Sequence, residues 1–427
     1  MKKLALLLVG IFILGLSTPI YASQPADISV KIGATRSSVR LESTNGFELI
    51  QSNGKKIRIS TATLQLSPYG QDQIQVKSAQ GEYKIEENVD RIQPQNNNAS
   101  VDGKRYRGSF YFINSGNLLS VVNQLPVEEY LKGVLPKEIG TSTNREALKA
   151  QSVVSRSFAY ANYNKFLKNG YNLDDTTSSQ VYGGMDVESE ATNQAVEATR
   201  GQVLYYGDSI ANTIFHATSG GKTEAIEDVW GGNSIPYLKV QEDPYSVNTR
   251  NSTWEATISK SELNNKYSGK VGEVTGFKIL ERTSSNRIRW IEITGTNGSY
   301  KISGNQFRLD LGAVKIKSTD FTVNGQGSTL SEQVITSTGR KTFNGLERII
   351  SATGITERSS QTILTANGQR KIQMAKAEEI QGEEFYLQGR GYGHGVGMSQ
   401  YGAINMGNDG KDYRYILGFY YPGTEIR

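Results

Sequence analysis

One glutamate stands where a carboxyl could do acid–base work. Glu138 follows Val134-Leu135-Pro136-Lys137 and precedes Ile139-Gly140, in the turn expected between two helices. A carboxyl set among apolar neighbours loses solvation, so its pKa rises and it can hold a proton for a leaving group. The plainer alternative is an exposed turn glutamate paired at most with Lys137. A second concentration of chemistry is LQGRGYGHGVGMSQYGA, residues 387–403, with glycine at 389, 391, 393, 395 and 397. In an extended chain this spacing puts Arg390, Tyr392, His394, Val396 and Met398 on one face and bare backbone on the other. Glycine weakens a strand but admits a ligand or a second chain close to the backbone. His394 is one of only two histidines; a histidine satisfied by flanking tyrosines is the competing reading. The other, His216, lies in FHATSGGKTEAIEDVWGG, where Ser219, Gly220 and Gly221 precede Glu227, Asp228 and Trp230. A sugar site uses such an aromatic face beside polar groups, and so does a packed β-turn around a core tryptophan. Arg156 sits among small and apolar residues, flanked by Ser155 and Ser157. Its planar fork suits a carboxylate or carbonyl, either on a substrate or in an internal salt bridge.

Other chemistries lose their footing. No cysteine is present, which removes thiol catalysis and every cysteine-containing zinc site, and two histidines exclude a site of three. Ser219-Gly220-Gly221-Lys222-Thr223 ends like a phosphate-binding loop, but His216 holds the place of its first glycine. Ala217 occupies the position where a nucleophile elbow needs glycine. The net charge is +5, or +3 once Lys2 and Lys3 are set aside, too small an excess to argue nucleic-acid binding.

The elements that must position these residues read as α+β and β-rich. Lys2 and Lys3, the apolar run 4–16 and Ser17-Thr18-Pro19 have the layout of a signal peptide cut after Ala22, so 1–22 is expected to be a leader. An uncleaved leader would be the only membrane anchor. Alternating segments such as ISVKIG, KIRIST and QIQVKS, separated by turn signals, predict an antiparallel β domain over 23–103, with a polar linker or loop at 93–100. A second unit is expected over 104–427. In it Pro126 opens a short helix with Glu128 and Glu129 as helix-start charges, and Thr143 with Glu146 fits a capping box for a helix from about Arg145 to Lys168. A further helix is expected over Ser189 to Ala198, followed by β runs, with a β-rich insertion at 323–383.

Six segments together resemble the SpoIID/LytB family of exported cell-wall proteins. They are VVNQLPVEEYLKGVLPKEIG, REALKAQSVVSRSFAYAN, DDTTSSQVYGG, FHATSGGKTEAIEDVWGG, RLDLGAVKIKSTDFTV and GRGYGHGVGMSQYGA, in family order within 105–421. The resemblance implies a SpoIID-like catalytic core, and for the sporulation branch a lytic transglycosylase acting on peptidoglycan glycan strands stripped of stem peptides. It maps the catalytic glutamate onto Glu138 and the helix arginine onto Arg156. Gln180 and Tyr182 become contact candidates, with His216, Ser219, Tyr392, His394, Ser399 and Gln400 as further substrate-binding residues. No cofactor is expected. Some relatives hold zinc through a histidine and cysteines near this His216; here Thr218 and Ser219 stand beside it without cysteine, so no metal is expected. A second branch, the amidase enhancers, implies a non-catalytic alternative that binds the wall and activates a cell-wall amidase; a purely structural wall-binding protein is a third. The family pattern has methionine and proline after the glutamate, whereas Ile139-Gly140 occurs here. The expected setting is secreted or wall-associated in a Gram-positive bacterium.

Overall fold

The computed structural model describes residues 24–323 and 380–427, and between them the backbone of six short strands within Ser331–Thr336, Gly339–Asn344, Ile349–Ser351, Gly354–Thr356, Ser360–Thr365 and Gly368–Gln373. The expected leader and, within the expected insertion, the side chains of 324–379 lie outside the described residues. The six strands pair as three antiparallel two-stranded ribbons.

Two sheets begin the chain. A seven-stranded sheet runs in the order Leu173–Asp174, Asp27–Arg36, Leu119–Pro126, Ser109–Asn114, Arg91–Pro94, Phe47–Ile50 and Lys56–Ile59. A six-stranded sheet runs Lys104–Arg107, Asn98–Val101, Val39–Glu42, Thr63–Tyr69, Gln73–Ser78 and Gly81–Glu86. Period-2 patterning builds them: Ile28, Val30 and Ile32 are buried in one strand, Leu64 with Leu66 and Ile74 with Val76 in others, all in one core. The stretch at 93–100, expected as a linker, instead contributes two strands around a turn at Asn97, whose φ of 59° asparagine tolerates. Strands on both sides of residue 103 share these sheets, so no break in pairing coincides with the expected boundary there.

Helix α1 (Val127–Glu138) follows Pro126 and carries Glu128 and Glu129 in its first turn, as the sequence suggests. It runs further than expected, making Glu138 its last residue rather than part of a turn. Helix α2 (Arg145–Ala161) is capped by Asn144, whose side chain accepts from the Glu146 N–H at 2.9 Å, one residue beyond the expected cap. It stops short of Lys168 because Asn162 turns its amide back onto the Phe158 carbonyl at 2.9 Å. Helix α3 (Glu190–Ala198) takes Ser189 as its cap, as expected. The region read as β runs also holds α4 (Ile226–Trp230), α5 (Lys260–Val271) and α6 (Gly304–Asp310), and the chain ends with α7 (Gln400–Asn408) and α8 (Tyr413–Tyr420).

Helix α2 lies between two cores. Leu148 and Ala159 join the core of the two sheets. Ala147, Ala150, Val153 and Val154 pack with Met398, Ala403, Met406, Ile416 and Leu417. A third core, including Ile258, Phe277, Ile291, Phe307, Phe321 and Phe385, belongs to α5, α6 and the strands around them. A helix covered on both sides must satisfy its polar residues internally. Ser157 donates to the Val153 carbonyl at 2.7 Å and accepts from the Leu204 N–H at 2.8 Å.

Arg156, expected among the substrate contacts, is 0% exposed. Its Nε and Nη2 donate to the Glu128 carboxylate at 2.9 and 2.7 Å, and Nη1 donates to the Gln202 carbonyl at 3.1 Å. Glu128 also accepts from the Gly201 N–H at 3.0 Å. The internal salt bridge is thus the arrangement found. It ties α1, α2 and the segment after α3 together. Removing one partner would leave the other charge buried and unpaired. Arg156→Ala is therefore expected to lower stability by about 3–5 kcal/mol, read as a reduced urea midpoint by circular dichroism; an unchanged midpoint would remove this pair from the structural account.

Candidate active site at the C-terminal end of helix α1

Glu138 is half-buried, and its Oε1 accepts a hydrogen bond from the Val181 backbone N–H at 2.9 Å. Burial pushes the carboxyl above the ordinary glutamate range, while the Val181 hydrogen bond pulls partly the other way. Oε2 has no hydrogen-bond partner among the described residues. The carboxyl is therefore aimed by one oxygen and unspent at the other, as a proton donor requires.

The segment that carries Val181 is held against α1 by close packing. The Gly183 N–H donates to the Gly133 carbonyl at 3.0 Å, and a Cβ at Gly133 would meet the Tyr182 ring at 2.5 Å. Tyr182 is buried, donates to Asn123 Oδ1 at 3.0 Å, and has its ring 5.1 Å from that of Tyr130. Tyr130 in turn donates to Gln180 Oε1 at 3.3 Å. Upstream, Asp174 accepts from the Thr176 and Ser178 hydroxyls at 2.8 and 2.5 Å, fixing the loop's entrance. Of the residues expected here, Glu138, Gln180 and Tyr182 do come together. Tyr182 serves the packing, with its hydroxyl spent on Asn123.

The glycine-rich segment departs from the extended ladder expected of it. The strand Glu384–Arg390 ends before it, and Gly391, Gly393, Gly395 and Gly397 have φ of 77, 113, 88 and 71°. Close approach is real, but the protein itself supplies the approaching groups. A Cβ would lie 2.8 Å from the Ser219 carbonyl oxygen at Gly391, 2.7 Å from His216 Cβ at Gly393, 2.6 Å from Arg287 Nε at Gly395 and 1.9 Å from the Ile214 carbonyl oxygen at Gly397. At these four positions the side of the backbone where a Cβ would stand is occupied by the protein itself.

His216 and His394 meet there, with ring centroids 5.6 Å apart. His216 is buried; its Nδ1 donates to the Val396 carbonyl at 3.0 Å, leaving Nε2 without a partner. His394 accepts at Nδ1 from the Val396 N–H at 3.1 Å. Burial holds His216 well below the usual histidine range, aided by His394 and Arg287. Burial with Arg308 and Arg287 brings His394 down to about 3. Both imidazoles are neutral at ordinary pH, so neither serves there as a cationic acid. His394 packs on Trp230, ring centroids 4.9 Å apart, and Trp230 is 50% exposed. Tyr392 is half-buried, bonded through its backbone to Thr218.

Ser219, Ser399 and Gln400 were expected to face substrate but are buried. Ser219 donates to Asp243 Oδ2 at 2.7 Å, and Ser246 bridges Asp243 and Ser399 at 2.5 and 2.6 Å. Tyr420 adds a third hydroxyl to that carboxylate at 3.1 Å. Gln400 donates to Gln151 of α2 at 3.2 Å. Among the described residues no hydrogen bond or ion pair joins Glu138 to the histidine cluster. Sequence reasoning missed Tyr130, Val181, Asp243 and Arg287. Val181 acts through its backbone, which no residue type advertises; Asp243-Pro244 was a readable turn signal, but not its three hydroxyl partners.

The raised pKa of Glu138 has a stability consequence. The folded protein holds this proton more tightly than the unfolded chain does, so the favourable contribution is complete below the unfolded value and is lost as pH rises through the folded one. Glu138→Gln removes that loss. The variant is expected to equal or exceed the parent's melting temperature at pH 7, with any gain shrinking below the model-peptide value of 4.5; a variant less stable at pH 7 than at pH 4, relative to the parent, would contradict the sign.

Residues 115–206 match the family profile described as Stage II sporulation protein. The chain is 33% identical over 349 residues to the amidase enhancer of Bacillus subtilis (strain 168), covering 79% of this chain but 46% of that protein, so it spans about half that relative's length. It is 32% identical over 334 residues to an uncharacterised protein of Brachyspira hyodysenteriae, covering 77% of this chain and 73% of that one. Stage II sporulation protein D of Bacillus subtilis is 27% identical over 321 residues, with 71% and 75% covered. With a matching profile across α1, α2 and α3 and a relative above 30% identity matched over most of both chains, the protein belongs to the SpoIID family.

Proposed function

We propose that the protein is an exported lytic transglycosylase that cleaves the bond between N-acetylmuramic acid and N-acetylglucosamine in peptidoglycan strands, with peptide-stripped strands as substrate. The observation that carries this reading is the Glu138 carboxyl, raised by burial, fixed at one oxygen by Val181 and unspent at the other. A glycosidase that hydrolyses normally uses two carboxylates; one suffices if the sugar supplies its own nucleophile. Glu138 would protonate the glycosidic oxygen as it leaves C1 of N-acetylmuramic acid. The resulting carboxylate would take the proton of that sugar's C6 hydroxyl while O6 bonds to C1, closing a 1,6-anhydro ring without consuming water. Intramolecular attack gives O6 a high effective concentration.

Trp230, with His394 against it, offers the exposed aromatic face on which a sugar could stack. Arg156, Ser219, Ser399 and Gln400 are better assigned to support than to contact, since their polar groups are engaged within the protein. The proposed setting is the cell wall of a Gram-positive bacterium.

A second reading is favoured by one observation, the similarity to a protein named amidase enhancer. In it the chain binds the wall and accelerates an N-acetylmuramoyl-L-alanine amidase without cutting glycan. Mass spectrometry of soluble products separates the two. The protein lacking residues 1–22 and its Glu138→Gln variant are incubated with intact and peptide-stripped peptidoglycan, with and without added amidase. Anhydro-ended saccharides from the parent, reduced about 10²–10⁴-fold in the variant, are expected. No new saccharide ends, together with faster stem-peptide release by the amidase, would replace the enzyme reading by the enhancer one.

A further inference from the structure

Arg308 is 7% exposed, and only one nitrogen of its guanidinium is used. Nε donates to the Lys317 carbonyl at 3.0 Å, whereas the two terminal nitrogens have no partner among the described residues. Neither of these two is sealed from solvent, so the tip of the fork opens outward. Burial brings the group down to about 10; Tyr392 and Arg287 also act on it, and no carboxylate is among its neighbours in charge. Arg308 is therefore a cation at neutral pH that the protein itself does not compensate. A largely buried charge without a counterion is costly, and the partner that suits a guanidinium fork is an oxyanion.

The surroundings point the same way. Arg287 is buried; its Nη2 donates to the Ser219 carbonyl at 2.8 Å and its Nη1 has no partner. Asp320 and Glu224 act on Arg287, but their oxygens are already engaged. Glu224 accepts from the Thr283 and Ser285 hydroxyls at 2.6 Å each and from the Ala225 N–H at 2.9 Å, and Asp320 accepts from the Asn286 amide at 3.2 Å. Lys317 adds a third cation, with Nζ 5.8 Å from the Tyr392 ring centroid. Arg308 also acts on His394, whose ring packs against the exposed Trp230. The fork thus opens near the aromatic face suggested for sugar stacking. Ile139, the residue after Glu138, packs on the core that contains Val396 and Met398, so the candidate acid and this cationic hollow adjoin one core.

The proposed substrate supplies an anion. Muramic acid bears a lactyl ether whose carboxyl group is an amide while the stem peptide is attached, and a free carboxylate once the peptide is removed. A planar carboxylate matches a guanidinium fork, two oxygens against two N–H groups. Such a carboxylate recurs on every second sugar, so a strand can present one to Arg308 without its belonging to the sugar that is cleaved.

We propose that the terminal nitrogens of Arg308 bind the lactyl carboxylate of a glycan strand, and that Arg308 is thereby the residue that distinguishes peptide-stripped strands from those still carrying peptide. This rests on the glycan-cleaving reading and adds to it the group that is recognised.

The test uses binding, so that it does not depend on turnover. In a Glu138→Gln background, calorimetry compares peptide-stripped glycan chains with the same chains after their carboxyl groups are converted to methylamides. The carboxylate chains are expected to bind about 10-fold tighter, as one charge-assisted pair would give, and to lose that preference as sodium chloride is raised. Adding Arg308→Leu should erase the ratio while the methylamide chains bind as before. Adding Arg308→Lys, which keeps the charge but not the fork, should shrink it. A merely structural role would weaken both ligands together and leave the ratio unchanged, which overturns the proposal; so would a ratio near one before either change. Should Arg308→Leu fail to fold, Arg308→Lys decides, and an unchanged ratio there counts against the proposal in the same way. If the ratio is near one while the parent still releases anhydro ends, only the role of Arg308 falls. If no glycan is bound and none is cut, the enzyme reading falls with it.

Discussion

The buried pair between Arg156 and Glu128 is the constraint on which the arrangement of helices rests. It holds the N-terminal turn of α1 to the middle of α2, and through the Gln202 carbonyl and the Gly201 N–H it fixes the chain leaving α3. Glu128 and Glu138 are ten residues apart on one helix, a separation of roughly 15 Å along its axis. The two acidic ends of α1 thus have opposite duties. One is neutralised inside the protein and sets where the helix lies; the other is half-buried, aimed by a single backbone donor, and available.

Burial raises that second carboxyl, as it does those of Glu224, Asp228 and Asp320. The two histidines drew attention as substrate-contact candidates, yet burial and nearby arginines keep both neutral. Asp243 is also raised by burial, but its carboxylate is surrounded by the hydroxyls of Ser219, Ser246 and Tyr420. Those bonds join the turn after His216 to α7 and α8. The serines of the most recognisable motifs therefore act as internal ties, and Glu138 differs from Asp243 chiefly in keeping one oxygen unclaimed.

Much of the fold was legible because it follows local rules. Period-2 alternation located the strands of the first two sheets, and Pro126 and Ser189 marked helix starts correctly. The Ser259–Glu262 capping box was equally readable and marks α5, although the β-rich flanks drew the reading towards strand. Asn97 shows the opposite failure: a polar run looked like a linker because a tight turn between paired strands uses the same residues. In the candidate site, Glu138 could be named as a candidate acid from its apolar neighbours together with the family resemblance, but its hydrogen-bond partner could not. Val181 contributes an N–H, and which N–H meets Glu138 is decided by how Gly133 and Tyr182 let two segments approach. Arg156 was read as open between substrate contact and salt bridge because a guanidinium fork fits either; only the position of Glu128 decides it.

The run Gly391 to Gly397 has a consequence for how the chain can evolve. Each of four alternate positions combines a left-handed backbone with an atom of the protein within 2.8 Å of where a Cβ would stand. No single substitution can keep both, since every other amino acid adds that carbon. The segment is a mutational dead end at every second residue. A scan of all substitutions would score these glycines as intolerant as any nucleophile or acid. That invariance would measure fit, and a search for catalytic residues by intolerance alone would be drawn to a tightly packed segment.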